Sequence, residues 1–113
     1  MIDSERKEIR TAFHQAVNME ARELERWLDT EESQSVGWNA GEGRRGGRPS
    51  IGRRIAELKR KKVAELSDDE YAHLQKVAGY VHRQKAERPK GDLTQTPWRF
   101  SLMNWGHDPL KDS

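Results

Sequence analysis

Apolar residues recur every three or four positions through the first quarter of the chain. Ile9, Phe13, Val17, Leu24 and Leu28 fall on one helical stripe, which Ala16, Ala21 and Trp27 widen. The pattern predicts one amphipathic helix over residues 4–28. Ser4 has the chemistry of its N-cap, and Glu5 and Glu8 suit the positive end of its dipole. Residues 29–49, DTEESQSVGWNAGEGRRGGRP, break the rhythm and have loop composition, with Val36 and Trp38 as their only large apolar anchors.

The rhythm then resumes. Ser50, just after Pro49, reads as an N-cap, and Ile51, Ile55 and Leu58 mark the buried side of a second helix over 51–61. Residues 67–70, SDDE, form a capping box, with Leu66 and Tyr71 placed as a hydrophobic staple. A third helix over 68–87 follows, with Tyr71, Leu74, Val77, Ala78 and Val81 inside, and Arg88-Pro89 ends it. Thr96-Pro97 opens a short fourth helix, because proline suits the first helical position. Trp98, Leu102 and Trp105 share one face of it, and Gly106 and Pro109 close it. No stretch alternates as a strand does, and nothing repeats. The expected fold is all-α: one domain, 1–113, with about four helices around a small core and a long Gly/Arg-rich loop between the first and second.

Composition narrows the function classes. The 113 residues are 35% charged and 33% hydrophobic, so the core is modest. With no cysteine, disulfides and thiolate metal sites are excluded. The N-terminus MIDSERKEIR lacks a signal-peptide apolar region, and no apolar run approaches membrane-spanning length. Cytoplasmic residence, without a membrane partner, is the expectation.

Charge changes the picture more. Residues 1–42 carry five basic and ten acidic side chains, and residues 63–113 carry seven and eight. Residues 43–62 carry nine basic side chains against one glutamate. The positive field is thus local, and local density attracts a polyanion. Within it, Gly41-Glu42-Gly43-Arg44-Arg45-Gly46 matches GxGxxG by letter, but no strand precedes it and no helix directly follows. Gly47 to Gly52 has phosphate-loop spacing, but Arg53-Arg54 replace the required Lys-Ser/Thr pair. No nucleotide cofactor is expected.

Arg44-Arg45-Gly46-Gly47-Arg48-Pro49 is instead similar to the Arg-Gly-Arg-Pro core of an AT-hook, with one extra glycine. There a slim backbone lies in a narrow minor groove and arginines exploit its enhanced negative potential. The same run contains one RGG unit, which suits RNA. It leads straight into the second helix, whose free N-terminal amides and Ser50 can receive a phosphate oxygen. The expected contact residues are Arg44, Arg45, Arg48, Ser50, Arg53, Arg54, Arg60, Lys61 and Lys62.

Four runs, WLDTEESQSVG, GRRIAELKRKK, LSDDEYAHLQKVAGYVHRQKAERPKGDL and TPWRFSLMNWGHDPLK, carry a resemblance over about residues 24–111. The chain resembles a family of small uncharacterised proteins, known mainly from actinobacteria with some fungal members and commonly labelled DNA-binding protein. The GYVHR and WRFSLMNWGHDPLK runs are its most specific pieces. The chain departs from the pattern by a longer Gly/Arg insertion after Val36-Gly37 and by Ile51 between Ser50 and Gly52. The resemblance implies nucleic-acid binding and supplies no catalytic residues.

The other chemistries are thin. His14, His73, His82 and His107 include no pair four apart on a helix, and Glu70-x-x-His73 has no second half-site, so no metal is expected. No serine sits in an elbow motif, and the protein reads as a binder, not an enzyme. The Trp98, Phe100, Trp105 group is expected to complete the core. The expected function is duplex-DNA binding of low sequence specificity, nucleoid-associated or regulatory. No Asn or Gln on the second helix is placed to read bases. RNA binding through the Gly/Arg loop and a protein–protein interaction module are the alternatives, and a homodimer would double the basic surface.

Overall fold

The computed structural model describes residues 2–39 and 49–112, side chains excepted at 37–39, 49, 50 and 112. Among these residues it is all-α, as the patterning predicts. The helices are α1 (Asp3–Ala16), α2 (Ala21–Leu28), α3 (Glu31–Asn39), α4 (Pro49–Arg60), α5 (Asp68–Ala86) and α6 (Pro97–Asn104). Two 3-10 turns, Val63–Glu65 and Pro109–Asp112, follow α4 and α6.

The predicted helix over 4–28 is two helices. Its stripe is real: Phe13, Val17, Leu24 and Leu28 are all buried. Between them the backbone turns at 17–20 and Met19 also enters the core. A helix that breaks inside a protein leaves polar backbone groups needing partners. Here distant residues supply them. Gly106 O accepts from Met19 N at 3.0 Å, and His107 Nδ1 lies 2.7 Å from Ala16 O. Lys59 Nζ donates to Val17 O at 2.9 Å and also to Met19 O. Asn18 and the Asp108 backbone exchange two hydrogen bonds, at 3.0 and 2.7 Å. Period alone cannot reveal such a break, because the stabilising partners lie some 40 to 90 residues away. The N-terminus differs as well: Ser4 lies inside the first turn of α1, whose cap position is Ile2 with no side-chain cap.

Residues 29–39 also depart from the expected loop. Thr30 Oγ accepts from Ser33 N at 3.2 Å, and Glu31 and Glu32 occupy the first turn of α3, so capping and dipole both favour a helix there. Its inner face carries Val36 and the fully buried Ser33, not an apolar stripe. Ser33 Oγ donates to Asn104 Oδ1, Asn104 Nδ2 donates to Ser33 O at 3.0 Å, and Trp27 Nε1 donates to Asn104 Oδ1 at 2.7 Å. A buried amide with its partners in place holds α2, α3 and α6 together.

Further along, the capping signals translate directly. Glu70 N donates to Ser67 Oγ at 3.2 Å and Ser67 N to Glu70 Oε1 at 3.0 Å, forming the box that starts α5. Thr96 Oγ accepts from Arg99 N at 3.1 Å, with Pro97 first in α6. α6 ends in a Schellman turn: Gly106 N reaches Met103 O, His107 N reaches Leu102 O, and Gly106 has φ +84°. α1 packs on α5, α2 on α4 and α3 on α6, while α6 also meets α2, α4 and α5. Trp105 is buried and stacks on Tyr80 with ring centroids 3.9 Å apart, Trp98 Nε1 donates to Gln84 O, and Phe100 tilts against Trp27. The C-terminal aromatics therefore complete the core, as expected.

Two glycines test this packing with opposite signs. A Cβ on Gly52 would lie 2.4 Å from Asn104 O and 2.7 Å from Leu28 Cδ2, whereas one on Gly79 meets nothing nearer than Arg83 at 3.5 Å. Gly52→Ala should destabilise by about 1–3 kcal/mol or more through overpacking. Gly79→Ala, inside α5, should stabilise by roughly 0.5–1 kcal/mol. Thermal unfolding by circular dichroism measures both. A neutral Gly52→Ala would show that α4 does not press on α6 as described.

Candidate functional site

Arg44, Arg45 and Arg48, with the GxGxxG letters and the AT-hook-like run, lie outside the described residues. The element before that segment is α3, a helix, and no strand precedes the motifs among the described residues. Ser50 is not the N-cap. α4 begins at Pro49, so Ser50 stands inside the first turn, with proline at the position it favours.

Apart from Lys59, the described cations of α4 and the adjoining Lys61 form two rows on its solvent side. Residues seven apart share a helical face, so Arg53 and Arg60 form one row and Arg54 and Lys61 the other. Ile55 and Leu58 are buried behind them. The first row faces α2: Arg53 Nη2 meets Asp29 Oδ1 at 3.0 Å, and Arg60 grips both oxygens of Glu25. Descending α2 while ascending α4 brings these pairs into register, so the two helices run antiparallel.

The second row faces α5. Arg54 Nη2 lies 3.2 Å from Glu70 Oε2, and Lys61 Nζ bonds the same oxygen. Arg54 also pairs with Glu57 one turn along, at 3.5 Å. Glu70 therefore has three tasks: it closes the α5 capping box, anchors Lys61 and anchors Arg54. The Lys61 hydrogen bond, then the Ser67 amide, hold its carboxyl at about 2, well below the usual carboxylate value. On α2, the Arg60 hydrogen bond likewise holds the Glu25 carboxyl below its ordinary value.

Along and just after α4, four cations that are crowded in one dimension are thus paired in three. Arg53, Arg54, Arg60 and Lys61 meet Asp29, Glu25, Glu57 and Glu70. Lys59 turns inward to the 17–20 break, where burial pushes its ammonium below the ordinary lysine value. Lys62 differs: it is exposed, and no carboxylate lies within ion-pair distance among the described residues.

Among the described residues, no group of three or more His, Cys, Asp or Glu side chains could hold a metal ion. His107 serves the 17–20 break through Ala16 O. His73 follows Glu70 by one turn, and burial, then Arg54, lowers its pKa. No helix among the described residues is long and apolar enough to cross a membrane.

Fold and site together define a small all-helical protein whose central cationic helix is paired to acids on both flanks. Residues 12–103 match the family described as Protein of unknown function (DUF3140), and the chain belongs to that family. No curated protein and no solved structure gave a match.

The Glu70 junction carries a pH signature. Its folded-state pKa is depressed from 4.5 to about 2, so its stabilising contribution is present above about 4.5 and is lost as pH falls toward about 2. Glu70→Gln should therefore lower the melting temperature at pH 7, with the gap to wild type closing between pH 4.5 and 2. A gap that stays constant across that window would mean that Glu70 is not held ionised by Lys61 and Ser67.

Proposed function

We propose that the protein binds duplex DNA through the cation-rich segment 44–62, with mainly phosphate contacts and low sequence specificity. One observation carries the reading: nine cations against one carboxylate in residues 43–62, on a glycine-rich run that leads into α4. Dense cations with few obstructing side chains suit a polyphosphate backbone. Arg45 and Arg48 are the residues for minor-groove entry. A nucleoid-associated or regulatory role follows from low specificity.

The pairs along α4 support a division of labour. Arg44, Arg45, Arg48 and Lys62 make first contact. Arg53 and Arg60 reach phosphate by exchanging partners with Asp29 and Glu25. Both pairs are exposed at the surface, where water and salt already compete with them. Arg54 and Lys61 stay with the buried Glu70, and Glu57 offsets the remaining charge.

Affinity measured by fluorescence anisotropy at several salt concentrations tests this. Each phosphate contact contributes about 0.9 to the slope of log K against log salt. Arg44→Gln/Arg45→Gln/Arg48→Gln should flatten that slope by about 2.7. Glu25→Gln/Asp29→Asn should tighten binding and steepen it, by about 0.9 for each released arginine that reaches phosphate. An affinity for duplex that ignores salt contradicts the proposal, and stronger capture of single-stranded RNA than of duplex would transfer it to RNA.

A further inference from the structure

A second cationic cluster stands on α1, in the stretch whose net charge is acidic. On a helix of 3.6 residues per turn, Arg6, Lys7 and Arg10 crowd one side while Glu5 and Glu8 point away. The side bearing Arg6, Lys7 and Arg10 lines a groove with Val63, Leu66 and Tyr71, the stretch that follows Lys62 directly. Arg10 Nη1 donates to the Tyr71 hydroxyl at 2.8 Å, which fixes the guanidinium, and the Arg6 guanidinium lies over the Tyr71 ring at 5.2 Å. Asp68 takes Arg6 at 2.6 Å, and Asp3 sits at the N-terminal end of the groove. Lys7, Arg10 and Lys62 have no carboxylate within ion-pair distance among the described residues. Arg6, Lys7 and Arg10 against Asp3 and Asp68 leave this groove at net +1, whereas Arg53, Arg54, Arg60 and Lys61 meet four carboxylates.

We infer that this groove is a second phosphate-binding surface, and that Lys7 and Arg10 of α1 engage the same DNA backbone as segment 44–62. The inference rests on the duplex-binding reading and extends its footprint to a helix that charge counting assigns to the acidic part of the chain. Lys62 joins the two surfaces, since it ends the cationic segment and immediately precedes the groove wall at Val63. Lys7 is exposed and offers three ammonium donors, and the held Arg10 fork uses one of its five on Tyr71. A phosphodiester meets both without displacing an acid, which is not so for Arg53 or Arg60.

The test compares the salt dependence of duplex binding in wild type and a set of charge variants. Lys7→Gln should flatten the slope of log K against log salt by about 0.9, and Lys7→Gln/Arg10→Gln by about 1.8. Between 50 and 200 mM salt, wild type should then lose about 12-fold more affinity than the double variant, because a fourfold change in salt enters at that power. Arg10→Lys keeps the charge and should keep the slope, which separates phosphate contact from any effect of losing the Tyr71 bond. Lys85→Gln/Lys90→Gln removes the same charge around the far end of α5 and should leave the slope near wild type. Unchanged slopes in the α1 variants, while the Arg44/Arg45/Arg48 variant flattens, would overturn this inference alone. Equal flattening by the Lys85/Lys90 variant would overturn it too, since bulk charge would then explain the effect. A wild type that does not bind duplex at low salt would overturn both this and the reading it rests on.

Discussion

The structure depends on one interruption, the helix break at residues 17–20, and on the chain that fills it. A continuous helix from 3 to 28 would present one long stripe and could pack against only one partner at a time. Breaking it lets α1 lie on α5 while α2 turns to α4. The break exposes backbone groups whose burial without partners costs about 1–3 kcal/mol each. The turn at 106–108 and Lys59 supply the partners. Gly106 is held to this geometry twice over, by its φ of +84° and by Val17 Cγ1, which would lie 2.7 Å from any Cβ. The Asp108 carboxylate is fixed by Arg99 Nε and Nη2, both at 3.3 Å, so the turn is braced from α6 as well.

Asn104 plays the matching part on the other side of α6. A chain with 33% hydrophobic residues has few apolar side chains for a sixth helix, and among the described side chains of α3 Val36 is the only buried apolar one. A fully satisfied buried amide is close to neutral in net stability, but it demands defined geometry, since any slip orphans a buried donor or acceptor. The Ser33–Asn104–Trp27 network therefore orients α3 more than it drives its burial. This matters for the candidate site, because α3 leads into the Gly/Arg segment and α4 receives it.

Much of this was legible in the residues, and the illegible parts share a cause. SDDE and TPW declare helix starts locally, and Ile55, Leu58, Tyr71, Leu74, Val77 and Val81 sit inside as their spacing requires. The break at 17–20 was invisible because its reason lies in GHDP and Lys59. Apolar spacing does not announce α3, because its fully buried residue is a serine, and its start is marked only by Thr30 followed by Glu31-Glu32. The site was half legible. The concentration of cations in residues 43–62 is a fact of sequence, but the pairing of Arg53, Arg54, Arg60 and Lys61 is a fact of space. Asp29, Glu25 and Glu70 come from two other helices, and nothing in the linear charge count brings them to Arg53, Arg60, Arg54 and Lys61.

That contrast reshapes what net charge means here. A polyanion responds to cations that lack a nearby acid, because each ion pair must first be opened before its cation is useful. By that measure α4 is chiefly a scaffold. Its arginines staple α2 and α5 to its flanks, and its position sets where the Gly/Arg run arrives and where Lys62 departs. Two cations without such pairing among the described residues, Lys7 and Arg10, stand where the linear profile is least suggestive, on a helix of no net charge a short step from Lys62. Opposite charges segregated on one helix cancel in a count but not in a field, since Glu5 and Glu8 face away from the groove that Lys7 and Arg10 line. The surface proposed here for binding follows from which charges are left over once the fold has made its own pairs.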